Sequence, residues 1–238
     1  MRKAFLLLLL FYLACNNSSS LRNNSSRVQV SSLKIAVDKV SSEQRDAMEW
    51  LITNMPESDL KNLSIDYLTH NSEYAFKAKN KFSWAKTLPD EIFLNYVLPY
   101  SSLNERRDKW RQDFFYKFSP IVKNANSAYE AAAILNNEIF EILGVEYSTK
   151  RPKADQSPYE SIDAGLASCT GLSFLLIDAC RSVGIPARFV GTPMWHNDSG
   201  NHSWVEIWDG KWHFTGAAEP VEGKLNAVSY THLTLPTR

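Results

Sequence analysis

Residues 166–220 constrain the fold of this chain more than any other stretch. They begin Leu166-Ala167-Ser168-Cys169-Thr170-Gly171-Leu172 and run on into an apolar segment. There Leu172, Leu175, Leu176, Ala179 and Val183 recur at three and four residues, which predicts a helix over 169–183 packed along one side. Gly184-Ile185-Pro186 ends it. β-branched and aromatic residues predict a strand over 187–193 and another over 202–208. Asp209-Gly210 then reads as a two-residue hairpin loop, with an antiparallel return over 211–216. A helix leading into an antiparallel sheet is an α+β arrangement. It sets a cysteine at the mouth of a helix and a histidine at the opening of a strand.

The rest of the chain reads as support or delivery. Its 238 residues are enough for a sizeable core, and 26 basic against 26 acidic side chains leave no field that would draw nucleic acid. The start, through Ala14 and Cys15, has a basic beginning and an apolar run of about a dozen residues, too short for a permanent membrane span. This layout resembles a bacterial lipoprotein signal over 1–15, which implies lipidation of Cys15; an ordinary cleaved signal with Cys15 incidental is the other reading. Residues 16–40 are expected to form a polar tether, because 16–32 hold too little apolar surface to bury. Together these imply a domain anchored to a membrane at the bacterial cell envelope, in the periplasm or at the cell surface, and not embedded in it. At the other end, 228–238 resemble a translated sequencing adapter and are set aside.

A mainly helical region is expected over 41–144. Ser41 and Gln44 suggest a capping box, followed by a helix carrying Ala47, Met48, Leu51, Ile52 and Met55 on one face and stopped by Pro56. Further helices are expected from Ser58, from Pro89 to Pro99, over 104–118, and over 127–143 with Gly144 as the stop. The charged run 104–113 reads as a solvated helix face. Trp50, Trp84 and Trp110 read as packing residues, and 145–165 as irregular chain leading into a core over 145–227.

The chemistry concentrates on Cys169 and His202. A free thiol has a pKa of about 8.5, and a helix N-terminus or a nearby imidazolium lowers it and makes the thiolate available. Unpaired N–H groups at the same helix end face where an oxyanion would develop. Cys180 lies eleven residues further along the helix, roughly 16 Å at ~1.5 Å per residue, beyond the reach of a disulfide. With a two-residue loop, Trp208 pairs with Lys211 and His202 faces Ala217, so Thr215, Ala217 and Glu219 share the His202 side. Glu219 is then the first choice to orient the imidazole, Thr215 the second, and a dyad with no third member the last. No cofactor is implied. A zinc site from Cys169, His196 and His202 lacks the usual ligand spacing, and His196 and His213 read as structural or rim residues. Trp204 and Trp208 either wall a cleft or pack.

The ordered set Ala167-Ser168-Cys169-Thr170-Gly171-Leu172, Gly184-Ile185-Pro186-Ala187-Arg188, and His202-Ser203-Trp204-Val205-Glu206 followed by Trp212 resembles the transglutaminase-like superfamily of papain-type fold. The resemblance covers about 157–220. It implies a helix carrying the cysteine packed on an antiparallel sheet, with Cys169 as nucleophile and His202 as general base and acid. In that superfamily an aspartate in the strand after the tryptophan orients the histidine; four residues after Trp212 this chain has Gly216. The expected activity is cysteine-dependent acyl transfer on a peptide, protein or glycopeptide, with hydrolysis favoured over crosslinking. The alternatives are an inactive binding or scaffold module and a glycopeptide amidase of the same fold.

Overall fold

The computed structural model describes residues 33–194, 200–220 and 224–225. The signal over 1–15, Cys15 with its lipid, most of the tether, the tail 228–238 and His196 lie outside the described residues. The chain divides into two compact units, Met1–Thr69 and His70–Arg238.

In the first unit α1 (Ile35–Lys39) and α2 (Arg45–Asn54) pack on each other, and α3 (Glu57–Asn62) follows. The stretch expected to be a polar tether is therefore helical at its end, where Leu33 and Ala36 are buried. The apolar residues of 33–37 supply what 16–32 lack. Ala47, Met48, Leu51 and Ile52 form the buried stripe of α2. The capping box does not form: residues Ser42–Gln44 make a short 3-10 turn and Ser41 gives no side-chain cap.

α4 (Ile65–Lys81) begins before the division and ends after it. The second unit continues with α5 (Ser83–Lys86), α6 (Asp90–Tyr96), α7 (Trp110–Phe118) and α8 (Ala128–Leu143). α7 starts six residues later than the sequence suggests. Local side-chain bonds compete with the helix there: the Glu105 carboxylate accepts from the N–H groups of Ser102 (2.5 Å) and Leu103 (2.8 Å), and Arg107 donates to the carbonyl oxygens of Leu103 and Glu105. Nor is this run a solvated face, since Glu105, Asp108 and Arg111 are all buried. α8 keeps its expected ends. The Ser127 hydroxyl accepts from the Glu130 N–H, and Gly144 closes the helix in the left-handed region at φ +66°.

Residues 145–165 are more regular than expected. β1 (Glu146–Tyr147) pairs in parallel with β2 (Leu166–Ala167), and between them lies α9 (Pro158–Ala164), with a capping box from Ser157 and Glu160 and Pro158 in the first turn. Next comes α10 (Cys169–Ser182), the centre of the unit, packed against α7, α8, α9 and the sheet. It is not packed along one side only: every residue over 171–182 is buried. The core around it includes Phe114, Phe118, Leu135, Ile139, Leu175, Leu176, Val205 and Ile207, and each such side chain contributes about 1.5–3 kcal/mol on burial.

The sheet is antiparallel in the order β3 (Ala187–Thr192), β4 (His202–Trp208), β5 (Trp212–Thr215). β4 alternates as its composition demands, with Ser203, Val205 and Ile207 buried toward the core and His202, Trp204, Glu206 and Trp208 half-buried on the other face. The hairpin register differs by one from the sequence expectation: Trp208 pairs with Trp212 and Val205 with Thr215, so the loop holds three residues. Within the loop the Asp209 N–H donates to the Lys211 carbonyl oxygen (3.0 Å), and the Asp209 carboxylate accepts from the Tyr129 N–H at the start of α8 (3.2 Å). A one-residue slip moves every side chain of the return strand to the opposite face. Thr215 thus shares the core face with Val205, not the face of His202. Among the described residues no helix is long and apolar enough to cross a membrane.

Candidate active site

Ser168 caps α10 by accepting from the Gly171 N–H (3.1 Å) while its hydroxyl donates to the Ala154 carbonyl oxygen. Cys169 is therefore the first helical residue, half-buried and with a free thiol. The first intrahelical bond runs from the Leu172 N–H to the Ser168 carbonyl oxygen, so the N–H groups of Cys169 and Thr170 precede the ladder and belong to the anion-favouring helix end. His202 is the first residue of β4. Burial pushes the Cys169 thiol up, but hydrogen bonds from His202 and from the side chain and backbone of Ser203 outweigh it and bring the pKa down to about 7. The structure brings His202 near enough to Cys169 to favour its thiolate.

Ser203 is a residue the sequence reading missed. It is 3% exposed, on the core face of β4, and its Oγ lies 3.1 Å from Thr170 Oγ1. Helix start and strand start are thus joined by two hydroxyls beside the thiol. A serine directly after the strand-opening histidine was the available signal, since alternation turns it toward the helix.

The third position departs from expectation in its route. Thr215 is fully buried and its Oγ1 accepts from Asn136 Nδ2 (3.1 Å), which removes it as a partner for His202. Continuing the register one step past β5 sets Gly216 opposite Trp204 and diagonal to His202, on the half-buried face. Glu219 does not lie on that face by strand alternation; it comes back through a turn. A Cβ placed on Gly216 would collide with Glu219 Oε2 and stand 2.7 Å from its Cδ. The carboxylate therefore fills the place where a side chain at 216 would begin.

Around the pair, the His202 and Trp204 rings lie 6.2 Å apart, Arg188 bonds Glu206 (2.6 Å), and the Arg188 guanidinium sits 3.9 Å over the Trp212 ring. His213 packs on Tyr129 with ring centres 4.9 Å apart. Among the described residues no group of three or more His, Cys, Asp or Glu is placed to hold a metal ion.

Residues 118–216 match the transglutaminase-like superfamily. This part of the chain is a transglutaminase-like domain. A solved structure from Cytophaga hutchinsonii, described as a candidate cysteine protease, is similar at 18% identity with a TM-score of 0.45, over 61% of this chain and 48% of that one. The chain thus spans about half the length of that protein. No curated protein matches the sequence. The transglutaminase-like domain, a cysteine-type enzyme domain, takes in α8, α10 and all three strands of the larger sheet, and ends three residues before Glu219.

Proposed function

We propose that this protein carries out cysteine-dependent acyl transfer on an amide, with hydrolysis of a peptide, protein or glycopeptide favoured over crosslinking. The Cys169 thiolate attacks the carbonyl carbon, and the oxyanion that forms meets the N–H groups at the start of α10. His202 gives its proton to the leaving nitrogen, the C–N bond breaks, and a thioester remains. Water then attacks the thioester as His202 takes its proton, and the acid leaves Cys169 as thiolate. Glu219 orients the imidazole from its place over Gly216. The observation that carries this reading is the Cys169 thiol at a helix N-terminus, lowered to about 7 by His202 and Ser203 against the effect of burial. We place the domain at the bacterial cell envelope, held to the membrane through lipid on Cys15; loss of radiolabelled palmitate incorporation in Cys15→Ala tests the anchor.

The test of the chemistry uses fluorescently labelled casein for hydrolysis and dansylcadaverine for amine incorporation. Cys169→Ala should lose turnover by about 10³-fold or more while keeping its circular dichroism spectrum. Full turnover in that variant would refute the assignment. A scaffold module, the reading that Gly216 motivates, would show neither reaction and slow alkylation of Cys169 at pH 7.

A further inference from the structure

The chain after β5 is held by one buried side chain. Asn136, on α8 and 2% exposed, donates through Nδ2 to Thr215 Oγ1 (3.1 Å) and to the Gly216 carbonyl oxygen (2.9 Å), and its Oδ1 accepts from the Ala218 N–H (3.0 Å). Three bonds from a single amide fix Thr215, Gly216 and Ala218. Ala218 is the one non-glycine among the described residues in the left-handed region, at φ +62°, a conformation that costs roughly 1 kcal/mol or more without such support. The turn closes with the Glu219 N–H donating to the Gly216 carbonyl oxygen (3.3 Å). That reversal returns the Glu219 carboxylate to Gly216, onto the place where a Cβ would stand. Thr215 points into the core, so the side-chain direction at 216 is the opposite one, toward the face of His202.

We propose that Asn136 and Gly216 form a latch that delivers the Glu219 carboxylate to strand position 216 on the face of His202, in place of the side chain that the strand lacks. The inference rests on the reading of Cys169 and His202 as the reacting pair. Asn136 acts through the turn and touches no reacting atom; it is a positioning residue. Gly216 is required because any side chain there would displace the carboxylate. Fixing the imidazole's tautomer and direction is what a carboxylate contributes to a thiol–imidazole pair.

The test combines turnover of labelled casein with the ¹⁵N shifts of the His202 ring, the latter measured in a Cys169→Ala background so that it does not depend on catalysis. Glu219→Gln, Gly216→Ala and Asn136→Ala should each lower kcat by about 10²-fold with KM unchanged, and should convert one dominant tautomer into a mixture. Gly216→Ala displaces the Glu219 side chain, its carboxylate foremost, and meets no other residue within 4 Å among its three nearest atoms, so it should keep its fold. Should Asn136→Ala fail to fold, Asn136→Asp decides in its place, since it keeps the acceptor for Ala218 and loses both donations. Restoration of tautomer and kcat by Gly216→Asp combined with Glu219→Ala is the expected rescue. Wild-type tautomer and kcat in folded Gly216→Ala or Glu219→Gln would overturn the latch. Turnover surviving Cys169→Ala would instead overturn the catalytic reading, while the ring shifts still decide the latch.

Discussion

Cys169 and Cys180 sit on one helix, eleven residues apart, and their surroundings assign them opposite chemistry. Cys169 is half-buried at the helix N-terminus, with donors from His202 and Ser203 that favour the thiolate. Cys180 is fully buried, and burial pushes its thiol far up, with Asp178 adding to the rise and Arg181 opposing it. The contrast extends to whole helix ends. Around Cys169 polar groups converge on a group that must change its charge; around residues 178–181 they hold charges and carbonyls in place. Arg181, 4% exposed, donates to the carbonyl oxygens of Tyr96, Pro99, Ser101 and Ala187, and Arg111 to those of Val97, Leu98, Pro99 and Arg181. One end of α10 is arranged for reaction and the other for attachment of the loop after α6.

The largest effect that would break this comparison is in thiol reactivity. Iodoacetamide at pH 7, followed by peptide mapping, should label Cys169 at least about 10³-fold faster than Cys180, because one thiol is substantially ionised and reachable and the other neither. Comparable rates would erase the distinction. Next in size is the attachment end. Arg181→Met should cost about 3 kcal/mol or more in urea unfolding, since the carbonyl oxygens of Tyr96, Pro99, Ser101 and Ala187 each lose a charged donor that is itself buried. A loss under about 1 kcal/mol would mean that the clasp holds nothing.

The sequence made the reactive end legible and hid the attachment end, for a physical reason. Cys169 and His202 stand at element boundaries, where a cap residue and a strand start leave local signals, and the periodicity of Leu172, Leu175 and Leu176 places the helix. Asp178 and Arg181 carry no such signal; the partners of Arg181 include carbonyls of a loop some eighty residues upstream. The hairpin was half legible. Asp209-Gly210 marks the turn, but not the three-residue length of the loop, nor the bond of Asp209 to the distant Tyr129 N–H. Glu219 came out as the favoured carboxylate from a register that is off by one. The structure brings it over Gly216 by a turn that alternation along a strand could not reveal.

Asp178 sharpens the comparison through pH. Neither of its carboxylate oxygens has a hydrogen-bond partner among the described residues, and burial drives its pKa well above the ordinary value despite the pull of Arg181. A folded-state pKa raised above the unfolded value of about 3.9 contributes stability below that value and loses it as pH rises toward the folded one, by up to about 1.4 kcal/mol per pH unit. Asp178→Asn removes the titration. Its urea midpoint should match the wild type near pH 4 and exceed it increasingly toward pH 7; parallel curves would show that Asp178 is already ionised in the fold.

The smallest effect belongs to Ser203. Its hydroxyl stands between Thr170 Oγ1 and the Cys169 sulfur, and its N–H donates to the same sulfur. Ser203→Ala removes one of these donations and leaves the backbone one and His202 in place. A hydrogen bond to the charged form favours that form, so its loss must raise the thiol pKa from about 7 toward, but not to, the ordinary value. A rise of half to one unit corresponds to roughly a 3- to 10-fold slower alkylation of Cys169 at pH 6 and no change above pH 9. Thr170→Val, which takes away only the partner of the Ser203 hydroxyl, should move the midpoint less than Ser203→Ala does. Equal and full shifts from both variants would mean that the two hydroxyls act as a single relay to the sulfur, and no shift from either would leave the tuning of the reactive end to His202 and the Ser203 N–H.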